Sequence, residues 1–282
     1  MQLLAVLGKG VVDPATPVVQ PDDQGLTRGD GCFEGIHVVR EGDGSAQVRK
    51  LDRHLARMAR SAAGLGIDFD AQPWVDLVEQ ACAAWAGEVE GAMKLVLTRG
   101  GAADGEPAGF LTISAVNPDF PRQRVEGIRV VTLCRGYAAN AFTDAPWLLG
   151  GIKTLSYAVN MAAAREVERR GVEDAIFVSA DGYVLESTTG TVVWSHGRSL
   201  RTTPTGATGI LAGTTQDLLF DAADGAGWDV GEQLITVDEL HAADTVWVIS
   251  SVRGPVDVIS LDGVQRSRDH AVLEDIKAYA AF

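Results

Sequence analysis

NPDFPRQRVEG, residues 117–127, decides how the chain is divided. Pro118 and Pro121 interrupt strand and helix patterns alike, and the stretch is polar apart from Phe120 and Val125. It reads as a linker over residues 118–126, between an N-terminal α/β domain over 1–117 and a C-terminal α/β domain over 127–282. Each side supplies its own mixture of elements. Before it, MQLLAVLGKGVVDP reads as two strands around a Gly-Lys-Gly turn. GIHVVREGDGSAQVRK reads as a hairpin on Gly42-Asp43-Gly44. LDRHLARMARSAAGLGI carries Leu51, Leu55, Met58, Ala59, Ala62 and Leu65 at helical spacing. PWVDLVEQACAAWAG is a second helix with Pro73 near its start, and two strands, AMKLVLTRGG and GFLTISAVN, lead up to the prolines.

Beyond the linker, IRVVTLCRG reads as a strand. GGIKTLSYAVNMAAAREVERRG, residues 150–171, places Leu155, Ala158, Val159, Ala162, Ala163 and Val167 on a helical face that Gly171 ends. DAIFVSADGYVLEST turns on Asp181-Gly182, GTVVW continues as strand, and a glycine-rich loop runs into the helix TTQDLLFDAADG. DTVWVISSVRGPVDVISLDG closes with strands. No repeat of 20–50 residues is present. The expected class is mixed α/β in two domains, and small-molecule sites favour the interface between such domains.

The chain has 282 residues and a formal net charge of −14, which argues against non-specific binding to nucleic acid or to an anionic membrane. Cys32, Cys82 and Cys134 are far apart and show neither disulfide nor zinc spacing, so a reducing cytoplasm is the expected compartment. The apolar run at the N-terminus is too short for a signal peptide, and no run is long enough to span a membrane.

Several residues could carry chemistry. Lys153 stands just ahead of the predicted helix, between Ile152 and Leu155, where the helix dipole disfavours a positive charge. It is either a solvated lysine or a nucleophilic amine. In GILAGTTQDLLF, glycines allow close approach of a ligand and Thr214 and Thr215 supply hydroxyls and N–H groups at a helix start. Thr214 and Asp217 also fit a capping box, which would make the stretch an ordinary helix start. Glu186 ends an apolar strand. Arg53, Arg57 and Arg60 share one helix, the usual mark of a solvated face. His54 reads as structural, the five histidines lack metal-ligand spacing, and no GxSxG elbow is present.

Taken together the stretches resemble the fold-type IV pyridoxal-phosphate enzymes, which include D-amino-acid and branched-chain aminotransferases and aminodeoxychorismate lyase. The matching runs come in that family's order: RGDGCFEGI (28–36), RHLARM (53–58), KLVLTRG (94–100), GIKTLSY (151–157), GYVLESTTGTVV (182–193), GILAGTTQ (209–216) and SSVRGPVDV (250–258). The resemblance implies a two-domain architecture like that of D-amino-acid aminotransferase, with the active site at the domain interface and pyridoxal 5'-phosphate as cofactor. It implies that Lys153 binds the cofactor and moves the substrate α-proton, and that Glu186 faces the pyridine nitrogen. Arg57, Thr214, Thr215 and Ser251, next to Ser250, would hold the phosphate, and Tyr157 would flank the ring. Arg99 and Arg253 are the candidates for a substrate carboxylate. Gln216, Ser187 and Thr191 depart from the family pattern, at positions where arginine, glycine and asparagine are usual. The resemblance further implies a small-molecule amino substrate and a homodimer, for which Trp147, Leu148 and Leu149 offer an apolar cluster that would otherwise be core. Its closest likeness is to aminodeoxychorismate lyase, with a transaminase of D-amino or branched-chain amino acids as the alternative.

Overall fold

The computed structural model describes residues 2–42, 44–87, 90–101 and 105–282. Packing divides these into two compact units. The first takes the chain up to Pro118 and then Ile152–Tyr157; the second takes Asp119–Gly151 and Ala158–Phe282.

In the first unit the elements run β1 (Leu3–Val6), β2 (Gly10–Val12), α1 (Gln24–Arg28), β3 (Gly31–Arg40), β4 (Ala46–Val48), α2 (Leu51–Leu65), α3 (Gln72–Ala84), β5 (Glu90–Thr98) and β6 (Ala108–Ala115). Among the described residues the strands form a six-stranded antiparallel sheet in the order β2-β1-β6-β5-β3-β4. Alternation sends Cys32, Ile36 and Val38 of β3, Met93, Leu95 and Leu97 of β5, and Leu111 and Ile113 of β6 to one face. That face is covered by Leu55, Met58 and Ala62 of α2 and Trp74, Leu77, Val78 and Ala81 of α3. The hairpin expected at Gly42-Asp43-Gly44 joins β3 to β4; Asp43 itself lies outside the described residues.

In the second unit the order is α4 (Asp119–Glu126), β7 (Ile128–Cys134), α5 (Ala158–Arg170), β8 (Asp174–Val178), β9 (Val184–Ser187), β10 (Thr191–His196), β11 (Ser199–Thr202), α6 (Thr214–Gly225), β12 (Asp229–Glu232), α7 (Val237–Ala242), β13 (Thr245–Ser250), β14 (Gly254–Leu261), β15 (Val264–Gln265) and α8 (His270–Tyr279). Among the described residues its sheet has nine strands, in the order β12-β11-β10-β13-β14-β7-β8-β9 with β15 on β14. It is mixed: β7 runs parallel to β8 and to β14, and β10, β13 and β14 pair antiparallel. One face buries Ile128, Ile176, Val192, Trp194 and Val248; the other buries Trp247 and Ile249 under α6 and α8.

Three expectations change. Residues 119–126, expected as linker, are helix α4 of the second unit. Pro121 falls in its first turn, where a missing N–H costs nothing. The helix after Lys153 begins only at Ala158, because Leu155 N–H donates to Gly31 and Phe33 N–H donates to Lys153, so these residues pair with β3. Trp147 and Leu148 are exposed, at 74% and 47% of their surface, not core.

Candidate active site

Lys153 is held by strand pairing. Besides the bonds to β3, its N–H donates to the Ser61 hydroxyl on α2 at 3.2 Å. Gly31 makes the close approach possible, since a Cβ there would lie 2.7 Å from the Leu155 side chain. The Lys153 ammonium lies 4.4 Å from the ring centre of Phe33 and 5.6 Å from that of Tyr157, and the two rings meet edge to face at 5.2 Å. The helix begins only at Ala158, so the Phe33 and Tyr157 rings, rather than a helix dipole, border this lysine.

Arg57 is buried, not part of a solvated face. Its Nε and Nη2 donate to the two oxygens of Glu34 at 2.7 Å, and His54 Nδ1 lies 2.7 Å from the same carboxylate. Glu34 is fully buried on the core side of β3. Burial pushes its carboxyl up, but bonds and charge from Arg57 and His54 outweigh that and hold it at about 2. Burial also holds the His54 imidazole below its usual range, against the pull of Glu34. The bidentate edge expected to grip phosphate is thus the edge that grips Glu34.

The two arginines expected to meet a substrate carboxylate are likewise engaged by the chain. Arg99 forks onto Asp30 at 2.6 and 3.2 Å and also caps the last carbonyls of α2, Leu65 and Gly66. Arg253, 5% exposed, donates to Asp174 at 2.6 Å.

In the second unit Glu186 sits on β9, and its Oε2 accepts from the Leu211 N–H at 3.2 Å. Burial, together with the charge of Glu186, pushes the nearby Tyr137 phenol up, against the opposite effect of Arg135. Helix α6 starts at Thr214 with Gly213 as its N-cap and no side-chain cap, so the capping box read at Thr214 and Asp217 does not form. The Thr214 and Thr215 hydroxyls turn instead to the Ser251 hydroxyl, at 3.2 and 3.3 Å. Glycine is required at 213, because a Cβ would collide with the Thr191 hydroxyl. The three hydroxyls predicted to bind phosphate therefore converge at a helix start whose own N–H groups carry positive partial charge.

Sequence reasoning missed Phe33, Glu34 and Lys94. Lys94 is exposed on β5, directly across from Gly35, with its ammonium 5.7 Å from the Phe33 ring centre. Strand alternation held the signal: positions 32, 34, 36 and 38 face the core, so a glutamate at 34 required a buried partner and Phe33 had to face away.

The model of the family described as amino-transferase class IV matches residues 31–261. The bifunctional aminodeoxychorismate lyase / D-amino acid transaminase of Mycobacterium tuberculosis is 35% identical, over 93% of this chain and 92% of that one. A fold IV transaminase from Curtobacterium pusillum superposes with a TM-score of 0.90 at 38% identity, covering 99% and 97% of the two chains. A structure described as a hypothetical aminotransferase from Mycobacterium tuberculosis in its PLP-bound form gives 0.92 at 34% identity, covering 100% and 98%.

Proposed function

Because the chain belongs to the amino-transferase class IV family, we propose that it is a pyridoxal-phosphate enzyme that eliminates pyruvate from 4-amino-4-deoxychorismate and leaves 4-aminobenzoate. The observation that carries this reading is the similarity, along nearly the full length, to a relative named for that lyase activity.

The donor set fits the cofactor. The hydroxyls of Thr214, Thr215 and Ser251 and the first N–H groups of α6 suit a phosphate. Arg57 would offer the phosphate its Nη1, which the fork onto Glu34 does not use. Glu186 would favour a proton on the pyridine nitrogen, and Lys153 would hold the group until a substrate amine frees it. When bound, pyridoxal phosphate supplies an electron sink for the charge left on the substrate carbon. The Lys153 amine takes the proton from the carbon bearing the amino group, and hands it to the departing three-carbon fragment as pyruvate forms. Phe33 and Tyr157 set their rings beside that amine. Lys94, beside the Phe33 ring, receives a substrate carboxylate, with Arg99 and Arg253 as the candidates expected from the sequence; the proposed substrate carries two.

The test gives the cofactor-loaded protein aminodeoxychorismate with no keto acid. Equal amounts of pyruvate and 4-aminobenzoate, absent with Lys153→Ala, are expected. A loaded enzyme that forms neither product overturns the lyase reading.

The second reading is transamination of D-amino acids, favoured by the other activity in the same relative's name. It requires a keto-acid acceptor: turnover of D-alanine or D-glutamate only when 2-oxoglutarate is present identifies it. Among the described residues no helix is long and apolar enough to cross a membrane, and a cytoplasmic place accords with either reaction. A homodimer completes the proposal, with exposed Trp147 and Leu148 as contact residues. Sedimentation of the active enzyme as a monomer overturns that part.

A further inference from the structure

Asp174, at the start of β8, is 3% exposed and uses both of its oxygens. Oδ1 accepts from the Thr188 hydroxyl at 2.7 Å and from the Ala175 N–H at 2.8 Å; Oδ2 accepts from Arg253 at 2.6 Å. The two side chains it holds belong to different segments of the second unit. Thr188 lies two residues after Glu186, and its carbonyl is fixed from the other side by the Asn160 amide at 2.8 Å. Arg253 lies two residues after Ser251, in the tight turn between β13 and β14.

That turn is gripped on its other side as well. Arg124 donates to the carbonyls of Val252 and Arg253 at 2.9 and 2.7 Å, and its guanidinium lies over the Phe282 ring. Phe282 packs so closely on Gly254 that a Cβ there would lie 2.6 Å from it. The hydroxyl of Ser251 thus meets Thr214 and Thr215 from a turn with little freedom.

We propose that Asp174 is a positioning residue that fixes the Ser251 turn relative to the Glu186–Thr188 segment, and so sets the separation between the groups meant for the cofactor's phosphate and for its ring nitrogen. The proposal rests on the pyridoxal-phosphate reading above. A carboxylate suits the task because it accepts from a hydroxyl and a guanidinium at once, and burial makes both bonds directional and costly to lose.

Four variants test it: Thr188→Val, which cuts the link toward Glu186; Arg253→Met, which cuts the link toward Ser251; Asp174→Asn, which weakens both; and Asp174→Glu, which keeps the charge. The readouts are dissociation constants for pyridoxal phosphate and for pyridoxal, which lacks the phosphate, and the pH dependence of the bound cofactor's visible band. Arg253→Met is expected to weaken pyridoxal phosphate by roughly tenfold and pyridoxal far less. Thr188→Val is expected to move the pH dependence of the band while leaving phosphate-dependent affinity within about twofold. Asp174→Asn is expected to do both, and Asp174→Glu to restore neither fully. If the variants lose thermal stability but keep the wild-type affinity ratio and band, Asp174 is only a structural anchor and the proposal is overturned. If Thr188→Val folds as the wild type and its band is unmoved, the link to Glu186 is overturned even where Asp174→Asn fails to fold. A wild-type protein showing no Lys153-dependent band overturns the cofactor reading itself, a result distinct from either of these.

Discussion

The candidate donors of the two units differ in kind, although the second also buries a charged pair of its own, Arg253 with Asp174. In the first, Arg57 closes on Glu34 and Arg99 on Asp30, so each guanidinium meets a carboxylate of the chain. In the second, Thr214, Thr215 and Ser251 gather neutral hydroxyls at the start of α6. An incoming anion must compete with a carboxylate of the chain for the first kind of donor, buried in the case of Glu34, but not for the second. Charged pairs hold elements together in both units. Arg57, Arg99 and Arg253 each meet a carboxylate of the chain, so any binding role is shared with that pair.

Breaking the charged cluster has the largest expected effect. Glu34→Gln leaves Arg57 buried without its counter-charge and should cost about 3–5 kcal/mol of stability in chemical denaturation. A loss below about 1 kcal/mol would show that the pair does not fasten α2 to β3. Acid tests the same cluster. The Glu34 carboxyl is lowered from 4.5 to about 2, so the stability it contributes is complete above 4.5 and is lost as pH falls toward 2. His54, held below its ordinary 6.5, adds a loss in the same direction, because the unfolded chain takes up its proton more readily. Glu34→Gln should flatten the wild-type decline between pH 4.5 and 2 in an acid titration followed by circular dichroism.

The hydroxyl cluster should respond in the other currency. Ser251→Ala is expected to weaken pyridoxal phosphate by roughly tenfold while changing the stability of the cofactor-free protein by less than about 1 kcal/mol. Equilibrium dialysis beside a thermal melt separates the two, and a large melt change with unchanged affinity would reverse the contrast drawn above. The smallest effect is expected at Lys94. Lys94→Gln should leave stability unchanged and raise KM for a dicarboxylate by roughly five- to tenfold with kcat little altered. An equal rise for D-alanine, which has one carboxylate, would remove Lys94 from recognition of the second.

Much of this was legible in the sequence because it depends on near neighbours. The Asp181-Gly182 turn, the helix stop at Gly171 and the hydroxyls at the start of α6 each follow from a few adjacent residues. Motif order singles out Lys153 and Glu186 as candidates. What escaped depends on pairing across the chain. Glu34 meets Arg57 only when β3 lies under α2, and Lys94 meets Phe33 only through the β3–β5 register. The periodicity that suggested a helix from Leu155 lost to backbone bonds offered by β3, which no local pattern announces. The capping box failed for a related reason: the Thr214 hydroxyl found a partner 37 residues away rather than three.

The short run Ile152–Tyr157 has a consequence for how the protein is made. The chain leaves the first unit at Pro118 and comes back to it at Ile152 before departing again after Tyr157. On the ribosome, the first sheet and its helices emerge early, yet the six residues that pair with β3 and carry Lys153 emerge only after α4 and β7 of the second unit. The nascent first unit must therefore wait, with Gly31 and Phe33 holding open backbone positions, until a late segment docks. A gene cut at the prolines would give a fragment that lacks this lysine, so the two units cannot be exchanged between relatives as separate cassettes.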